Sequence, residues 1–356
     1  MNRKTLFLIT AMAVLLMAAS LHAERYVYTD SWGDAGFNLV QTEASGVEIV
    51  FSITEMHIEN MMVDGETMQS IYLPGVIIPN DAGAPNLPGQ GRWIALPEGA
   101  TPRVEILDAR TEIIRDLDII PAAPIPLDTD DSPPVYEKNP EIYNRNAMYP
   151  ASPVNISEVT QMRGVDASVL GITPYQYNPV TGELVVYRDL RVRVSWEGGS
   201  GYFGEDRLRN RYWEPVLKSN LMNYNQLPEV NLLPTPNNSD EDNVEYIIIV
   251  PNDPVFIAWA DTIKQWRKQQ GIITGITTLT EIGGNSATAI ENYINNAYNT
   301  WTTPPVAFLL LSDYQNSGDT YGITSPVWNS YCESDNIYAD IDGDGITSED
   351  LPIDAG

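Results

Sequence analysis

The sequence predicts a mixed fold: an all-β sandwich over residues 24–226, a linker at 227–243, and the N-terminal part of a doubly wound α/β domain over 244–356. Three observations carry this. From Glu24 to about Trp196, apolar residues alternate with a period of two between Pro and Gly turns. At 227–243, LPEVNLLPTPNNSDEDN replaces that alternation with Pro, Asn and acid. Beyond it the pattern reads strand, helix, strand, helix, strand, as at the start of a parallel sheet with crossover helices.

The chain opens with Arg3 and Lys4, an apolar run from Leu6 to about Ala19 and a small residue at Ala23. That order reads as a secretory signal peptide over 1–23. The run falls short of the ~20 residues a membrane helix needs, and no later segment is long enough, so no span is expected once the signal is removed. The expected location is outside, or on the surface of, a bacterial cell. The lone Cys332 has no partner for an internal disulfide, so export is not coupled to disulfide stapling.

In the first half, VEIVFSI (47–53) sets Val47, Ile49, Phe51 and Ile53 on one face, and RWIALPEG, PRVEILDA, ELVVYRDL and RVRVSW repeat the period. PAAPIPLDTDDSPPVYEKNP (121–140) is a Pro- and Asp-rich crossing loop, because missing N–H donors prevent a regular ladder. LRNRYWEPVLKSNLMNYNQ connects to the linker as a short helical or extended segment.

In the second half, EYIIIV (245–250) reads as a buried strand. Asp253 is an N-cap followed by Pro254, which is well tolerated at the first helical position. Val255, Trp259, Ile263 and Trp266 recur as one helical face ending at Gly271. IITGITTL is the second strand. Ser286 opens a helix with Ile290, Ile294, Ala297 and Trp301 in register, stopped by Pro304-Pro305. VAFLLLSD (306–313) is a continuous apolar run of the kind buried on both faces. Chemistry in such sheets sits at the carboxyl ends of the strands, so Ser312, Asp313 and the residues C-terminal to them are expected toward the site edge.

Charge excludes one class of partner. With 20 Lys+Arg against 48 Asp+Glu the formal charge is −28, which repels a phosphate backbone, so nucleic acid is not expected. After Lys268 there is no Lys or Arg, while twelve carboxylates follow.

GRWIALPEGATPRVEIL, the stretch from MYPASP to RVRVSW with its Arg163-Gly164 pair and its Pro174-Tyr175-Gln176-Tyr177-Asn178-Pro179 run, EYIIIV, the helix ending WRKQQG, LLLSD and SDNIYADIDGDG occur in an order that resembles the gingipain family of cysteine peptidases. The resemblance covers nearly all of the chain after the signal. It implies a β-sandwich propeptide followed by the N-terminal part of a caspase-like peptidase domain, with the propeptide packing on its own catalytic domain. It further implies proteolysis of protein or peptide substrates by a Cys–His dyad located beyond Gly356, the chain given breaking off before it. Two alternatives stay open: a non-enzymatic, calcium-stabilised secreted or surface binding module, and a sortase-like transpeptidase of the same family.

The residues in hand offer no replacement dyad. His22 leaves with the signal, and a Cys332–His57 pair would need a propeptide strand to lend its base to the other domain. No Gly-x-Ser-x-Gly, His-Glu-x-x-His or Cys-x-x-Cys is present. No catalytic residue is therefore assigned, and the chain is expected to be inert by itself.

Asp340, Asp342 and Asp344 alternate ahead of Gly345, placing three oxygen ligands around a tight turn as in an EF-hand-type calcium loop. The closing position holds Leu351 rather than Glu, with Glu349 and Asp350 displaced by two and one. A solvated acidic loop is the competing reading. The family resemblance implies structural calcium in this region, with Asp313 as a further ligand.

Overall fold

The computed structural model describes residues 23–76, 81–126, 132–230, 232, 244–315, 321–328, 332–333, 335–339 and 341. Two compact units emerge: Met1–Val159, Ala167–Tyr202 and Asn220–Gln226 form one, and Thr160–Asp166, Phe203–Ser219 and Leu227–Gly356 the other.

In chain order the first half holds β1 (Ala23–Val27), β2 (Gly36–Glu43), β3 (Gly46–Ser52), β4 (Glu55–Val63), β5 (Glu66–Tyr72), β6 (Gln90–Ala95) and β7 (Ala100–Ile114). The single-turn helix α1 (Pro140–Tyr143) comes next, then β8 (Val154–Ile156), β9 (Thr160–Met162), β10 (Val165–Ile172), β11 (Tyr175–Asn178) and β12 (Glu183–Gly198). The first unit is built of antiparallel sheets: β1-β4-β5, β6-β10-β8, and β11-β12-β3-β2 with β7 also on β12. ELVVYRDL and RVRVSW are halves of one long strand, β12, whose register against β7 shifts between Tyr187 and Asp189 and again between Arg191 and Val192.

The alternation in VEIVFSI predicts one buried face, whereas every residue of β3 is buried. The reason is position: β3 lies between β12 and β2, and its polar face is covered by ion pairs. Arg191 Nη2 donates to Glu48 Oε2 at 2.9 Å, and Arg193 pairs with the other carboxylate oxygen.

The second unit carries most of α2 (Trp213–Asn220), then β13 (Tyr246–Val250), α3 (Pro254–Gln269), β14 (Thr274–Thr278), α4 (Ala287–Thr300) and β15 (Ala307–Leu310). Among the described residues two short pairs follow: β16 (Asp313–Gln315) with β17 (Gly322–Thr324), and β18 (Val327–Trp328) with β19 (Cys332–Glu333). β14, β13 and β15 form a parallel sheet in that order, with one helix in each connection.

Both helix starts match the sequence reading. Asp253 accepts from the N–H groups of Val255 and Phe256, and Ser286 from that of Ala289. At the end of α3, Gly271 takes φ +79° while its N–H and that of Ile272 bond back to Lys268 and Arg267, a Schellman closure that favours glycine. Ile290, Ile294, Ala297 and Trp301 bury one face of α4 against Ile247 and Ile249 of β13.

Two expectations are corrected. Val255, Trp259 and Trp266 are exposed, at 62%, 61% and 53%. The sheet is instead met by Ala260 with half-buried Phe256, Ile257 and Ile263. The apolar residues of α3 wrap more of the helix than one stripe, and smaller Ala260 allows the closer approach. VAFLLLSD is not buried on both faces either. β15 is half-buried throughout because, among the described residues, it is an edge of the sheet; β13, at the centre, is the buried strand.

Candidate functional site

The carboxyl edge of the parallel sheet is where the topology places chemistry. There Asn252 Oδ1 accepts from Thr280 N–H at 3.0 Å, and Ser312 Oγ accepts from Ile323 N–H at 3.0 Å while donating to Asp313 O at 2.8 Å. Asn285 donates to Gly322 O and accepts from Thr324 N–H, each at 2.9 Å. These polar groups fold the loops at the strand ends rather than forming a nucleophile and base.

Asp313 is exposed at the start of β16, its N–H donating to Tyr321 O at 3.2 Å. Asp340, Asp342 and Asp344 lie outside the described residues. Among the described residues, no three His, Cys, Asp or Glu side chains converge to hold a metal ion. Cys332 sits in β19. His57 belongs to β4 of the first unit, where Nε2 meets Glu55 Oε1 at 2.8 Å and the ring packs edge-on against Tyr72. Hydrogen bonds from Arg25 first, and then from His57, hold the Glu55 carboxyl down at about 2. His57 is thus engaged in an ion-paired strand surface.

The opposite, amino edge of the sheet carries a denser constellation, all within the second unit. Arg163 and Gly164, at φ +50° and +77°, make the two-residue turn between β9 and β10. Asp64-Gly65 makes the corresponding turn between β4 and β5 with residues that suit it; arginine in the left-handed region does not. The Arg163 side chain is buried. Nε donates to Leu208 O at 2.9 Å, Nη2 to Pro305 O at 2.9 Å and Pro304 O at 3.3 Å, and the guanidinium lies over the rings of Tyr298 and Trp213. Burial pulls its pKa below the ordinary arginine value.

Arg207, Arg209 and Arg211 occupy alternate positions further along the chain. Arg207 Nη1 donates to Tyr298 O at 2.6 Å and Trp301 O at 3.1 Å. Arg209, 6% exposed, forks onto Glu214 at 2.7 and 2.8 Å and reaches Pro228 O. Arg211 forks onto Glu245 at 3.0 and 2.7 Å and donates to Gly271 O at 2.5 Å. Local sequence pattern assigns Arg207, Arg209 and Arg211 no structural role, since they lie in a connector without clear periodicity. The signal that could have found them is the lack of any base after Lys268.

Comparison with known proteins places these elements. Residues 27–230 match the family model described as Propeptide_C25, and residues 239–354 match Peptidase family C25. The chain belongs to peptidase family C25. It is 28% identical over 312 residues to Lys-gingipain of Porphyromonas gingivalis, covering 83% of this chain and 17% of that protein. Gingipain R2 of the same organism is 24% identical over 321 residues, covering 87% of this chain and 41% of that protein. The chain therefore spans well under two thirds of the curated relatives it matches.

Among solved structures, the complex of Porphyromonas gingivalis RgpB pro- and mature domains aligns with a TM-score of 0.48 at 23% identity, covering 54% of this chain and all of that one. The structure describing zymogenic latency of gingipain K aligns with 0.42 at 22%, covering 50% and all of that chain.

Within this C25 chain the propeptide match and the compact units do not share a boundary. Thr160–Asp166 and Phe203–Ser219, inside the propeptide match, belong to the unit that holds the peptidase-family sequence. Among the described residues, no helix is long and apolar enough to cross a membrane, which leaves β-barrels unaddressed.

Proposed function

We propose that this chain is the propeptide and catalytic-domain opening of a secreted cysteine endopeptidase zymogen. The observation that carries the reading is the order of the two family matches, propeptide at 27–230 and peptidase at 239–354. The reaction would be amide hydrolysis: a cysteine thiolate attacks the peptide carbonyl, a histidine moves the proton to the leaving amine, and backbone N–H groups hold the oxyanion. The dyad would come from sequence C-terminal to Gly356, in a domain whose parallel sheet extends into a caspase-like α/β fold. The commitment of His57 to Glu55 supports leaving it out of that dyad.

Two further elements belong to this proposal. Residues 1–23 would act as a cleaved export signal, supported by Arg3, Lys4 and the apolar run behind them. Asp340, Asp342 and Asp344, with Asp313, would hold a structural calcium ion, supported by the alternation of hard oxygen ligands and the lack of local bases.

The test is hydrolysis of a panel of unstructured peptides under reducing conditions. Residues 24–356 should show no turnover. The product of the whole gene should show turnover that iodoacetamide abolishes. Turnover by residues 24–356 that is lost in Cys332→Ala would overturn the assignment of the dyad, and iodoacetamide-resistant turnover by the whole product would overturn the cysteine mechanism.

A further inference from the structure

Helices α3 and α4 both run from the carboxyl edge of the parallel sheet back to its amino edge, so their C-termini lie at that same edge. A helix C-terminus leaves carbonyls without intrahelical partners and carries the negative end of the macrodipole, so it is stabilised by cations. α3 has Arg267 and Lys268 in its last turn; α4 has no base there. Between Gln269 and Gly356 the sequence holds no Lys or Arg that could supply one.

The cations arrive from the propeptide match. Arg207 donates to Tyr298 O and Trp301 O, which are carbonyls at the end of α4. Arg163 reaches the carbonyls of Pro304 and Pro305, in the connection from α4 to β15, where two prolines remove N–H donors that would otherwise close the turn. Arg211 reaches Gly271 O just past α3, and its fork holds Glu245, the residue before β13. All three donors lie within 27–230, and all these acceptors lie within 239–354. The strained backbone at Arg163 argues against decoration: a left-handed arginine at a tight turn persists only where its surroundings hold it. Its surroundings here are three carbonyls and two aromatic faces.

We propose that Arg163, Arg207 and Arg211 form a cationic clamp through which the propeptide completes the helix ends of the peptidase-family unit, and that this clamp is retained when the chain is cut between the two family matches. The proposal goes beyond the peptidase reading and does not depend on catalysis. It gives the propeptide a stabilising role at the amino edge of the sheet, away from the carboxyl edge where substrate chemistry is expected.

Hydrogen exchange read by mass spectrometry on residues 24–356 tests it. Arg207→Gln should speed exchange in 296–301, the end of α4, about tenfold, the size expected for losing a charged cap. Peptides from 101–114, in the other unit, should be unchanged. Arg103→Gln, which removes an exposed ion pair with Glu197, is the control and should leave 296–301 as it was. Exchange in 296–301 within twofold of the parent in Arg207→Gln would overturn the clamp. A second measurement needs no substitution of an arginine: a specific protease site placed within 234–240 is cut, and the fragments are run on gel filtration in physiological salt. Co-elution of the two fragments supports the clamp; their separation overturns it, whatever the peptidase activity proves to be.

Discussion

Arg110 and Asp189 face each other across β7 and β12, joined by hydrogen bonds from Nε at 2.8 Å and Nη2 at 2.5 Å to the same carboxylate oxygen. The other oxygen accepts from Ser52 Oγ at 2.6 Å, its cross-strand partner on β3, and from Trp32 N–H at 2.8 Å. Asp189 is fully buried and so depends on these partners. A one-residue slip of β12 would turn the carboxylate to the other face and leave Arg110 without it. Asp189→Asn should therefore destabilise the first unit by about 3 kcal/mol, the lower end for breaking a buried ion pair. Chemical denaturation checks this, and a loss under about 1 kcal/mol would contradict the register lock.

The two faces of the helices in the second unit should respond differently to truncation. Ile290→Ala, in the core between α4 and β13, should cost about 3 kcal/mol. Trp259→Ala, on the exposed face of α3, should change stability by no more than about 0.5 kcal/mol. Equal, large losses for both would mean that the face of α3 bearing Val255, Trp259 and Trp266 is covered in the protein.

How far the sequence could be read depended on whether a residue's local pattern or its neighbours decide its place. Asp253-Pro254, Ser286 and the Ile290, Ile294, Ala297, Trp301 stripe are local signals, and each appears where the spacing puts it. The α3 face could not be read that way. Aromatic and β-branched residues lie around much of that helix, and only the sheet decides that Ala260 points inward. Glu48 was equally opaque, because its burial depends on Arg191 and Arg193, far away in sequence. The arginine cluster joins residues up to 142 positions apart, so no window on the sequence contains it.

Processing should avoid the arginines. The stretch 227–243 contains no Lys or Arg, while Arg207, Arg209 and Arg211 are each tied to carbonyls or carboxylates and Arg209 is buried. A protease needs extended, accessible backbone, so N-terminal sequencing of the mature form should find a start between about Pro228 and Glu245. A start immediately after Arg211 or Lys218 would show that cleavage occurs at basic residues in spite of this packing.

Calcium should raise the melting temperature of residues 24–356, because an ion bound only by the folded state stabilises it by mass action. At a hundredfold excess over Kd the gain is about 2.7 kcal/mol. Asp342→Ala should abolish the rise. A melting temperature indifferent to calcium would leave the acidic run as a solvated loop.

In the proposed cysteine peptidase the nucleophile is expected to be a residue other than Cys332. An electrophilic peptidyl ketone that alkylates activated thiolates, applied to the activated product of the whole gene and then located by peptide mapping, reads it directly. One labelled cysteine, C-terminal to Gly356, is expected, with loss of peptide hydrolysis in step with labelling. Stoichiometric labelling of Cys332, or full hydrolysis by protein carrying no label after saturating treatment, would contradict it.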